Sequence, residues 1–271
     1  MKLQGKIGFL GGGRMAEALV KGIVRAGLAD STDILAVDPD EKRRSLLEKE
    51  YGIGVTASPE ALAECAIIIL AVKPQIMGVL LDGCRSWLDV RHLVISIAAG
   101  IPIAFMEKRL APGCRVIRVM PNTPALVLEG ASALSGGSAA SREDLEIAER
   151  IFSAVGRSVI LPENYLDAVT GLSGSGPAYV FQFIDSLVDG GVKMGLGRHD
   201  AELLVLQTVL GSVRLAMETG KHPAELKAMV TSPGGTTIAG LHELEKAGFK
   251  AGVMTAVEAA TRRSEELGRL V

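Results

Sequence analysis

The stretch KIGFLGGGRMA, residues 6–16, runs from a short apolar segment through consecutive glycines into a helical pattern. Gly11, Gly13 and Ala16 match the pattern G-x-G-x-x-G/A. In that pattern the first glycine permits a tight turn, the second lets a pyrophosphate approach the backbone, and the third small residue lets helix and strand pack closely. The stretch therefore predicts a Rossmann-type fold whose first turn binds a dinucleotide. A purely structural tight turn is the alternative.

The residues that follow continue the alternation of strands and helices that this fold requires. Short apolar runs bounded by turn residues lie at residues 7–10, 34–37, 66–72, 93–98 and 116–119. Between most of them, patterns typical of amphipathic helices lie at residues 15–26, 41–51, 59–64 and 102–110. This alternation predicts right-handed βαβ units and a parallel sheet covered on both faces. We expect further strands at residues 132–134 and 158–161, around a helix at residues 142–155.

After Pro162 the strand pattern stops, and helical periodicity covers the rest of the chain. Helices are expected at residues 167–172, 178–194, 200–218, 223–230, 238–246 and 250–267. The predicted fold class is therefore α/β, with a dinucleotide-binding Rossmann domain at residues 1–162. An all-helical substrate-binding and dimerisation domain is predicted at residues 163–271.

Two of the expected helices, which begin near Ala178 and Asp200, are apolar around most of their circumference. A helix of that kind must be buried on all sides. The helical part of the chain is too short to surround both of them. We therefore expect a second subunit to cover these helices in a homodimer.

The composition excludes several classes of function. The formal net charge is −2 and aromatic residues make up 4% of the chain, so neither nucleic acid nor an anionic membrane is an expected partner. The longest apolar run, residues 66–72, is far shorter than the ~20 residues that a membrane span needs. The N-terminus enters a strand pattern without a signal-peptide cleavage site, and we therefore expect the protein in the cytoplasm.

Cysteine and histidine give no indication of a metal site, and none is predicted. Cys65, Cys84 and Cys114 are spaced for neither a disulfide framework nor zinc binding. The histidines are scattered along the chain, and we interpret all of them as surface or helix-capping residues: His92, His199, His222 and His242.

Asp38 ends the second apolar run and is placed to influence the choice of cofactor. A carboxylate there would hydrogen-bond the adenosine ribose of NAD and repel the 2′-phosphate of NADP. Arg43 and Arg44 follow shortly, either to pair with that phosphate or to form a solvated helix face. The residues therefore lean toward NADH.

Three loops follow predicted strands and share the edge of the sheet where ligands bind in folds of this type. In the first, Lys73 can reach a ribose or the nicotinamide region, or is simply exposed. The second has small side chains that leave room for a flat ring. In the third, Asn122 presents an amide to the same edge or satisfies nearby backbone groups. The candidate cofactor residues of these loops are Ala71, Val72, Lys73, Pro74, Ala98, Ala99, Gly100 and Asn122.

Two segments rich in glycine and hydroxyl side chains lie in the helical part. Residues 170–176, TGLSGSG, would expose backbone amides as an anion-binding nest or serve as a flexible hinge. Residues 232–237, SPGGTT, interrupt two helical patterns because helix cannot continue through Pro-Gly-Gly. Unpaired amides at the next helix start attract a carboxylate or phosphate. The alternative is a helix stop followed by a threonine N-cap.

Taken together, these motifs resemble the pyrroline-5-carboxylate reductase family over nearly the whole chain. The segments that carry the resemblance occur in the family's order and at its spacings. They are IGFLGGGRMAEAL (7–19), AVKPQ (71–75), SIAAG (96–100), MPNTPALV (120–127), GLSGSGPAYVF (171–181), DGGVKMGL (189–196), KHPAELK (221–227) and SPGGTTIAGLHELE (232–245).

The resemblance implies a Rossmann domain and a helical domain that interlocks with a second subunit, and dimers that assemble into larger rings in many members. The implied reaction is reduction of 1-pyrroline-5-carboxylate, a cyclic imino acid, to L-proline with NADPH or NADH, the final step of proline biosynthesis. A protonated imine already carries positive charge, so hydride can reach its carbon without a strong general acid. The enzyme then supplies mainly proximity, orientation and a carboxylate clamp.

The resemblance also implies roles for single residues. Residues 11–15 hold the pyrophosphate, Ser58 lies near the adenine, and Glu163 lies near the nicotinamide. The substrate carboxylate rests on residues 232–237, where the hydroxyl of Thr237, the candidate catalytic residue, approaches the ring nitrogen. Further cofactor residues are Leu10, Gly11, Gly12, Gly13, Arg14, Met15 and Asp38, and the substrate residues are Ser175, Gly176, Ser232, Gly234, Gly235, Thr236 and Thr237.

At the position of Asp38 the family often has a small hydroxyl residue or one that tolerates the 2′-phosphate. Asp38 departs from that pattern, which leaves the preference between NADH and NADPH open.

Two other functions fit parts of the sequence. A β-hydroxy-acid dehydrogenase also joins a Rossmann domain to a helical one, but it uses a lysine followed one turn later by an asparagine. Here Lys193 is followed at that spacing by Gly197. A protein that binds NAD(P) without turnover would lack a substrate loop, whereas this chain has two candidate loops.

Overall fold

The structure, a computed structural model, describes residues 2–269, and its N-terminal part is built on one eight-stranded sheet. The strands are β1 (Lys6–Leu10), β2 (Ile34–Val37), β3 (Gly54–Thr56), β4 (Cys65–Leu70), β5 (Leu93–Ser96), β6 (Arg115–Met120), β7 (Gly130–Gly136) and β8 (Gly156–Ile160). Their order across the sheet is β3-β2-β1-β4-β5-β6-β7-β8. The chain therefore changes direction across the sheet between β1 and β4, which places the ligand crevice of this fold beside β1.

Eleven helices are present in the described part of the chain, residues 2–269. Those of the sheet region are α1 (Arg14–Arg25), α2 (Glu41–Tyr51), α3 (Met77–Cys84), α4 (Ile103–Glu107) and α5 (Arg142–Ser153). The later helices are α6 (Leu166–Val169), α7 (Gly176–Lys193), α8 (Arg198–Thr219), α9 (Pro223–Met229), α10 (Thr236–Lys246) and α11 (Phe249–Arg269). A π-helical turn, Thr170–Gly174, lies between α6 and α7.

Helices cover both faces of the sheet, which explains why its strands are apolar runs rather than alternating patterns. Successive side chains of a strand point to opposite faces. In β4, Ile67 and Ile69 belong to a buried cluster with α1, α2 and α5. Ile68 and Leu70 belong to a second cluster with α3 and α4.

The chain divides into two compact units. The first consists of the residues up to Ser175 together with those from Glu258 onward, and the second extends from Gly176 to Val257. The first unit contains the whole sheet and both buried clusters. In the second, Val188 and Ala201 are the buried residues among those described. The domain boundary after residue 162 stays a prediction.

The predicted fold class is confirmed, with local differences. β7 runs antiparallel to β6. The nine residues between them (121–129) are too few for a parallel crossover, which needs a dozen or more. β3 was not expected, because three residues are too short to form a pattern. The helix expected at residues 59–64 is a single 3-10 turn, Pro59–Leu62, because β4 begins at Cys65.

Within residues 2–269, no helix combines the length and the apolar character that a membrane span requires.

Candidate active site

The glycine turn between β1 and α1 has the geometry that the sequence predicts. Gly11 has a φ of +102°, and a Cβ there would lie 2.5 Å from the carbonyl oxygen of Ala71, so only glycine fits. A Cβ on Gly13, the N-cap of α1, would have no heavy atom within 4 Å. Among the described residues, no side chain caps α1. This helix therefore presents free amides beside open space, which suits a pyrophosphate.

Asp38 lies directly after β2 and is bonded to the glycine turn. Its Oδ2 accepts a hydrogen bond of 2.7 Å from the amide of Gly12, and its Oδ1 accepts one of 2.8 Å from the amide of Asp40. The carboxylate is half-buried beside the turn. Its position at the carboxyl end of β2 is where an acid contacts the ribose of a dinucleotide.

Arg43 and Arg44 are half-buried rather than part of a solvated helix face, because both bond to the loops around Asp38. Pairing of either residue with a 2′-phosphate stays a prediction. Arg43 donates from Nε to the carbonyl oxygen of Gly12 at 2.8 Å and forms an ion pair of 2.8 Å with Glu17. Arg44 donates to the carbonyl oxygen of Asp38 at 2.7 Å. The two guanidinium groups therefore brace the glycine turn and the loop that begins at Asp38.

Main-chain hydrogen bonds bring the next two loops to the same edge of the sheet. The amide of Ala71 donates to the carbonyl oxygen of Leu10 at 2.7 Å, and the amide of Ile97 donates to that of Leu70 at 3.1 Å. Lys73 is exposed at the start of a 3-10 turn. Gly100 is buried with a φ of +72°. The loop at residues 71–74 thus borders the glycine turn, and the loop at residues 98–100 borders the loop at residues 71–74.

A cavity of about 730 Å³ opens at this edge, within the first compact unit. It brings together predicted cofactor residues and one predicted substrate residue. Its walls include Pro74, Ala99, Gly100, Thr170, Ser175 and Ser264. The cavity is lined mainly by apolar atoms with a few hydroxyl groups, as binding sites for small molecules are.

The segment at residues 170–176 is not an open nest, which corrects one of the two sequence-based expectations. It is a π-helical turn that leads into α7, and the amide of Ser175 donates to the carbonyl oxygen of Thr170 at 2.8 Å. The alternative, a flexible hinge, stays a prediction. A Cβ on Gly174 would lie 2.6 Å from the methyl carbon of Met120. A larger residue at position 174 would therefore require the side chain of Met120 to move. π-helical turns are frequent at functional sites.

Asn122 satisfies backbone groups, the second of its two expected roles. Its Nδ2 donates to the carbonyl oxygen of Ser173 at 3.0 Å, and its Oδ1 accepts from the amide of Ala131 at 2.8 Å. Asn122 thereby fixes the π-helical turn to the start of β7. A direct role in cofactor binding stays a prediction.

Ser58 and Glu163 both have partners within the chain. The hydroxyl of Ser58 donates to Glu60 at 2.6 Å, which lowers the pKa of that exposed carboxyl. Oε1 of Glu163 accepts from the amide of Ile103 at 2.7 Å and from the guanidinium of Arg118 at 3.0 Å. Their predicted contacts with the cofactor remain predictions.

The segment at residues 232–237 starts α10 earlier than expected. Gly235 is the N-cap, so Thr236 and Thr237 belong to the first helical turn and neither is the cap. Gly234 has a φ of +66°, and the amide of Gly235 donates to the carbonyl oxygen of Ser232 at 3.1 Å. No side chain of the described residues caps this 11-residue helix. Its first amides are therefore available to an anion.

His92 corrects the expectation that all histidines are surface or capping residues. It is 1% exposed, and its Nε2 lies 3.1 Å from the carbonyl oxygen of Ala63. His222 does cap a helix, because its Nδ1 accepts from the amide of Ala224 at the start of α9. Within residues 2–269, no group of three or more His, Cys, Asp or Glu residues is arranged to hold a metal ion.

Arg118 and Ser264 are features of this region that the sequence interpretation missed. Arg118 interrupts an apolar strand, and a buried guanidinium must have charged or hydrogen-bonding partners. The arginine within an apolar strand was therefore the one feature of the sequence that could have indicated a buried ion pair here. Ser264 gives no comparable signal, because its neighbours in space are far away in the sequence.

Comparisons with known proteins cover both parts of the chain. A family model described as pyrroline-5-carboxylate reductase dimerisation matches residues 163–267. A second model, described as NADP oxidoreductase, coenzyme F420-dependent, matches residues 6–100.

Relatives and solved structures match over nearly their full length. The chain is 49% identical over 265 residues to the pyrroline-5-carboxylate reductase of Methanosarcina acetivorans, across 97% of this chain and 98% of that protein. It superposes with a TM-score of 0.93 on a pyrroline-5-carboxylate reductase from Coxiella burnetii, at 33% identity, across 98% of this chain and 99% of that one. Pyrroline carboxylate reductase of Plasmodium falciparum, solved with NADP bound, gives a TM-score of 0.88 at 38% identity, across 99% and 100% of the two chains.

Proposed function

The chain belongs to the pyrroline-5-carboxylate reductase family, and from this membership we infer how its residues carry out the reaction. The enzyme reduces 1-pyrroline-5-carboxylate to L-proline, with NADPH or NADH as reductant. The resemblance noted in the sequence is thereby confirmed. The site residues and the choice between the two cofactors are our proposals.

The geometry of the glycine turn is the main support for the proposed cofactor site. A side chain at Gly11 would collide with Ala71, and the space beside Gly13 is open at an uncapped helix N-terminus. These features fit a dinucleotide whose pyrophosphate lies on the amides that begin α1. When bound, the nicotinamide supplies the hydride. We assign the adenine side to Ser58 and the nicotinamide side to the loops at residues 71–74 and 98–100.

We assign hydride transfer to the cavity bounded by these loops. Ala99, Gly100, Thr170 and Ser175 all line it. The small residues leave room for a flat ring, and the walls are mainly apolar. Such a cavity favours transfer through proximity and orientation of the two reactants, which can supply a large part of the rate gain when no acid is required.

The substrate carboxylate is proposed to bind at the start of α10. This proposal is supported by the free amides of the first helical turn and by the positive φ of Gly234, which turns the chain into the helix. Thr236 and Ser232 add hydroxyl donors, and Thr237 is assigned to the ring nitrogen. Hydride addition to the carbon of a protonated imine yields the amine directly. The nitrogen keeps its proton, so the step needs no proton donor.

The carboxylate clamp is tested by comparing two substrates. 1-Pyrroline has the same imine ring as 1-pyrroline-5-carboxylate and lacks the carboxylate. Hydrogen bonds to a charged group contribute about 1.5–3 kcal/mol each, so kcat/KM for 1-pyrroline should be at least about 100-fold lower. Equal kcat/KM values for the two imines would rule out the clamp.

The chain contains the family's dimerisation domain and therefore self-associates. We propose that it forms a homodimer through its C-terminal helices and that such dimers assemble into a larger ring. Large apolar side chains exposed on α7 and α8 support this proposal. They include Phe181, Leu187, Leu203, Leu204, Leu206 and Leu210.

We also propose that the enzyme works in the cytoplasm. The proposal is supported by three cysteines that are all buried and free, as is usual where thiols stay reduced. Fractionation of source cells tests it, because the reductase activity should then separate with the cytosolic fraction. Recovery of the activity in an organelle or envelope fraction would contradict the proposal.

A further inference from the structure

Arg118 is a charged residue in the interior of the sheet. It lies on β6, whose neighbours are β5 and β7, and its side chain is only 6% exposed. A buried guanidinium is costly unless partners compensate it. Both of its acidic partners come from the segment after β8: Glu163 at 3.0 Å and Asp167 at 3.9 Å.

Each of these carboxylates also bonds to a further element. Oε1 of Glu163 accepts a hydrogen bond of 2.7 Å from the amide of Ile103, the first residue of α4. Oδ1 of Asp167 accepts one of 2.6 Å from the hydroxyl of Ser264 on α11, which is 5% exposed. Arg118 therefore connects β6, α4, the segment from Glu163 and α11.

Three of the elements joined in this way, α4, the segment from Glu163 and α11, contribute walls to the cavity assigned to hydride transfer. Gly100 lies three residues before Ile103, and Thr170 lies three residues after Asp167. Gly100, Thr170 and Ser264 all line the cavity. Gly100 also faces α11 directly, since a Cβ there would lie 3.8 Å from Cβ of Leu267. A shift of any of these elements would change the width of the cavity.

We propose that Arg118 is a positioning residue for the reduction: through Glu163 and Asp167 it sets the distance between the loop at residues 98–100 and the wall formed by α11. The inference rests on the placement of the reaction in this cavity. It also gives Glu163 a different role from the predicted cofactor contact. Oε1 of Glu163 accepts hydrogen bonds from both Arg118 and the amide of Ile103. Glu163 therefore transmits the position of Arg118 to the main chain at the start of α4.

Arg115 provides a matched control on the same strand. It also forms an ion pair, 2.7 Å from the buried carboxylate of Asp144. It lies at the amino end of β6 and is absent from the cavity walls. Arg115→Met thus removes an ion pair to a buried carboxylate from the same strand without touching the partners of Arg118, and only Arg118→Met should alter the site.

The first experiment measures steady-state kinetics for the wild type, Arg118→Met, Arg118→Lys and Arg115→Met. A misplaced reacting group can cost ~100-fold, and we expect Arg118→Met to raise KM for 1-pyrroline-5-carboxylate and to lower kcat/KM by about 10- to 100-fold. Arg118→Lys should recover part of the loss, and Arg115→Met should leave KM unchanged. A purely structural role would lower kcat with the folded fraction and leave KM unchanged, and that result would overturn the proposal.

Ser264→Ala is the variant for the case in which Arg118→Met does not fold, because it removes a single hydroxyl. It should raise KM severalfold, and its effect should not add to that of Arg118→Lys. An unchanged KM, or strictly additive effects, would contradict the network.

A second readout needs no turnover. Hydrogen exchange of the amides of Ile103 and Ala104 should be faster in Arg118→Lys than in the wild type and unchanged in Arg115→Met, because the amide of Ile103 bonds to Glu163. Unchanged exchange in Arg118→Lys would reject the positioning role. An inactive wild type would instead reject the proposed function, so the two failures are distinguishable.

Discussion

The carboxylate of Asp38 accepts a hydrogen bond of 2.7 Å from the backbone amide of Gly12. The residue assigned to the choice of cofactor is therefore also part of the turn assigned to the pyrophosphate. Two effects follow when Asp38 is replaced. The repulsion of a 2′-phosphate disappears, and the turn loses one hydrogen bond.

Asp38→Ser is expected to favour NADPH: the kcat/KM for NADPH divided by that for NADH should rise by about tenfold or more. The reason is that the variant loses a hydrogen bond of about 1.5–3 kcal/mol from the carboxylate to the ribose of NADH. Both kcat/KM values are measured by cofactor oxidation. Asp40→Asn is the control, since it removes a neighbouring exposed charge and asparagine still caps α2. An unchanged ratio in Asp38→Ser would remove this residue from cofactor choice.

Thr237→Val is expected to lower kcat/KM for 1-pyrroline-5-carboxylate by about tenfold or more, because valine keeps the shape of threonine and loses the hydroxyl assigned to the ring nitrogen. Thr237→Ser should keep most of the activity. The control is Thr231→Val, since the hydroxyl of Thr231 already donates to the carbonyl oxygen of Lys227. Equal activity of Thr237→Val and the wild type would exclude the assigned role.

The three cysteines are expected to be unreactive in the native protein. Burial raises the pKa of the Cys84 thiol to about 11 and also raises the pKa values of Cys65 and Cys114. The thiolate is the reactive form, so at pH 8 only about one Cys84 thiol in a thousand is reactive, and the fraction rises only as the pH approaches 11.

A colorimetric thiol titration at pH 8 checks this expectation. It should find no rapidly reacting thiol in the native state and three after denaturation. Ser45→Cys, at an exposed position of α2, is the positive control and should add one fast thiol. A fast native thiol in the wild type would show that one of these cysteines is accessible.

Leu206→Glu is expected to weaken self-association, because Leu206 is 48% exposed on α8 in a unit with few buried residues. Light scattering after size exclusion should show a smaller species with little reductase activity. Leu46→Glu changes a leucine that is 37% exposed on α2 and should leave the mass unchanged. A Leu206→Glu protein with the mass and activity of the wild type would place the interface elsewhere.

The parts of the fold that follow from local patterns could be predicted from the sequence. The turn at Gly11 and the buried strands are encoded by residues close together in the chain. The predicted helix stop before α10 is of the same kind, because Pro233 and Gly234 act locally.

The parts that were missed depend on distant contacts. The run at residues 170–176 gave no sign of its π-helical turn, which is bonded at Ser173 to Asn122, 51 residues earlier. The charge of Arg118 was visible, but its partners Glu163 and Asp167 are identified only by the folded chain. Nothing in the local sequence of Ser264 indicates that it lines a cavity.

The most direct test of the account is a steady-state assay of the purified protein with 1-pyrroline-5-carboxylate and, separately, NADH and NADPH. The account predicts that L-proline forms in a one-to-one ratio with the oxidised cofactor. It also predicts a higher kcat/KM with NADH, because of Asp38. Absence of substrate-dependent oxidation with either cofactor would contradict the account.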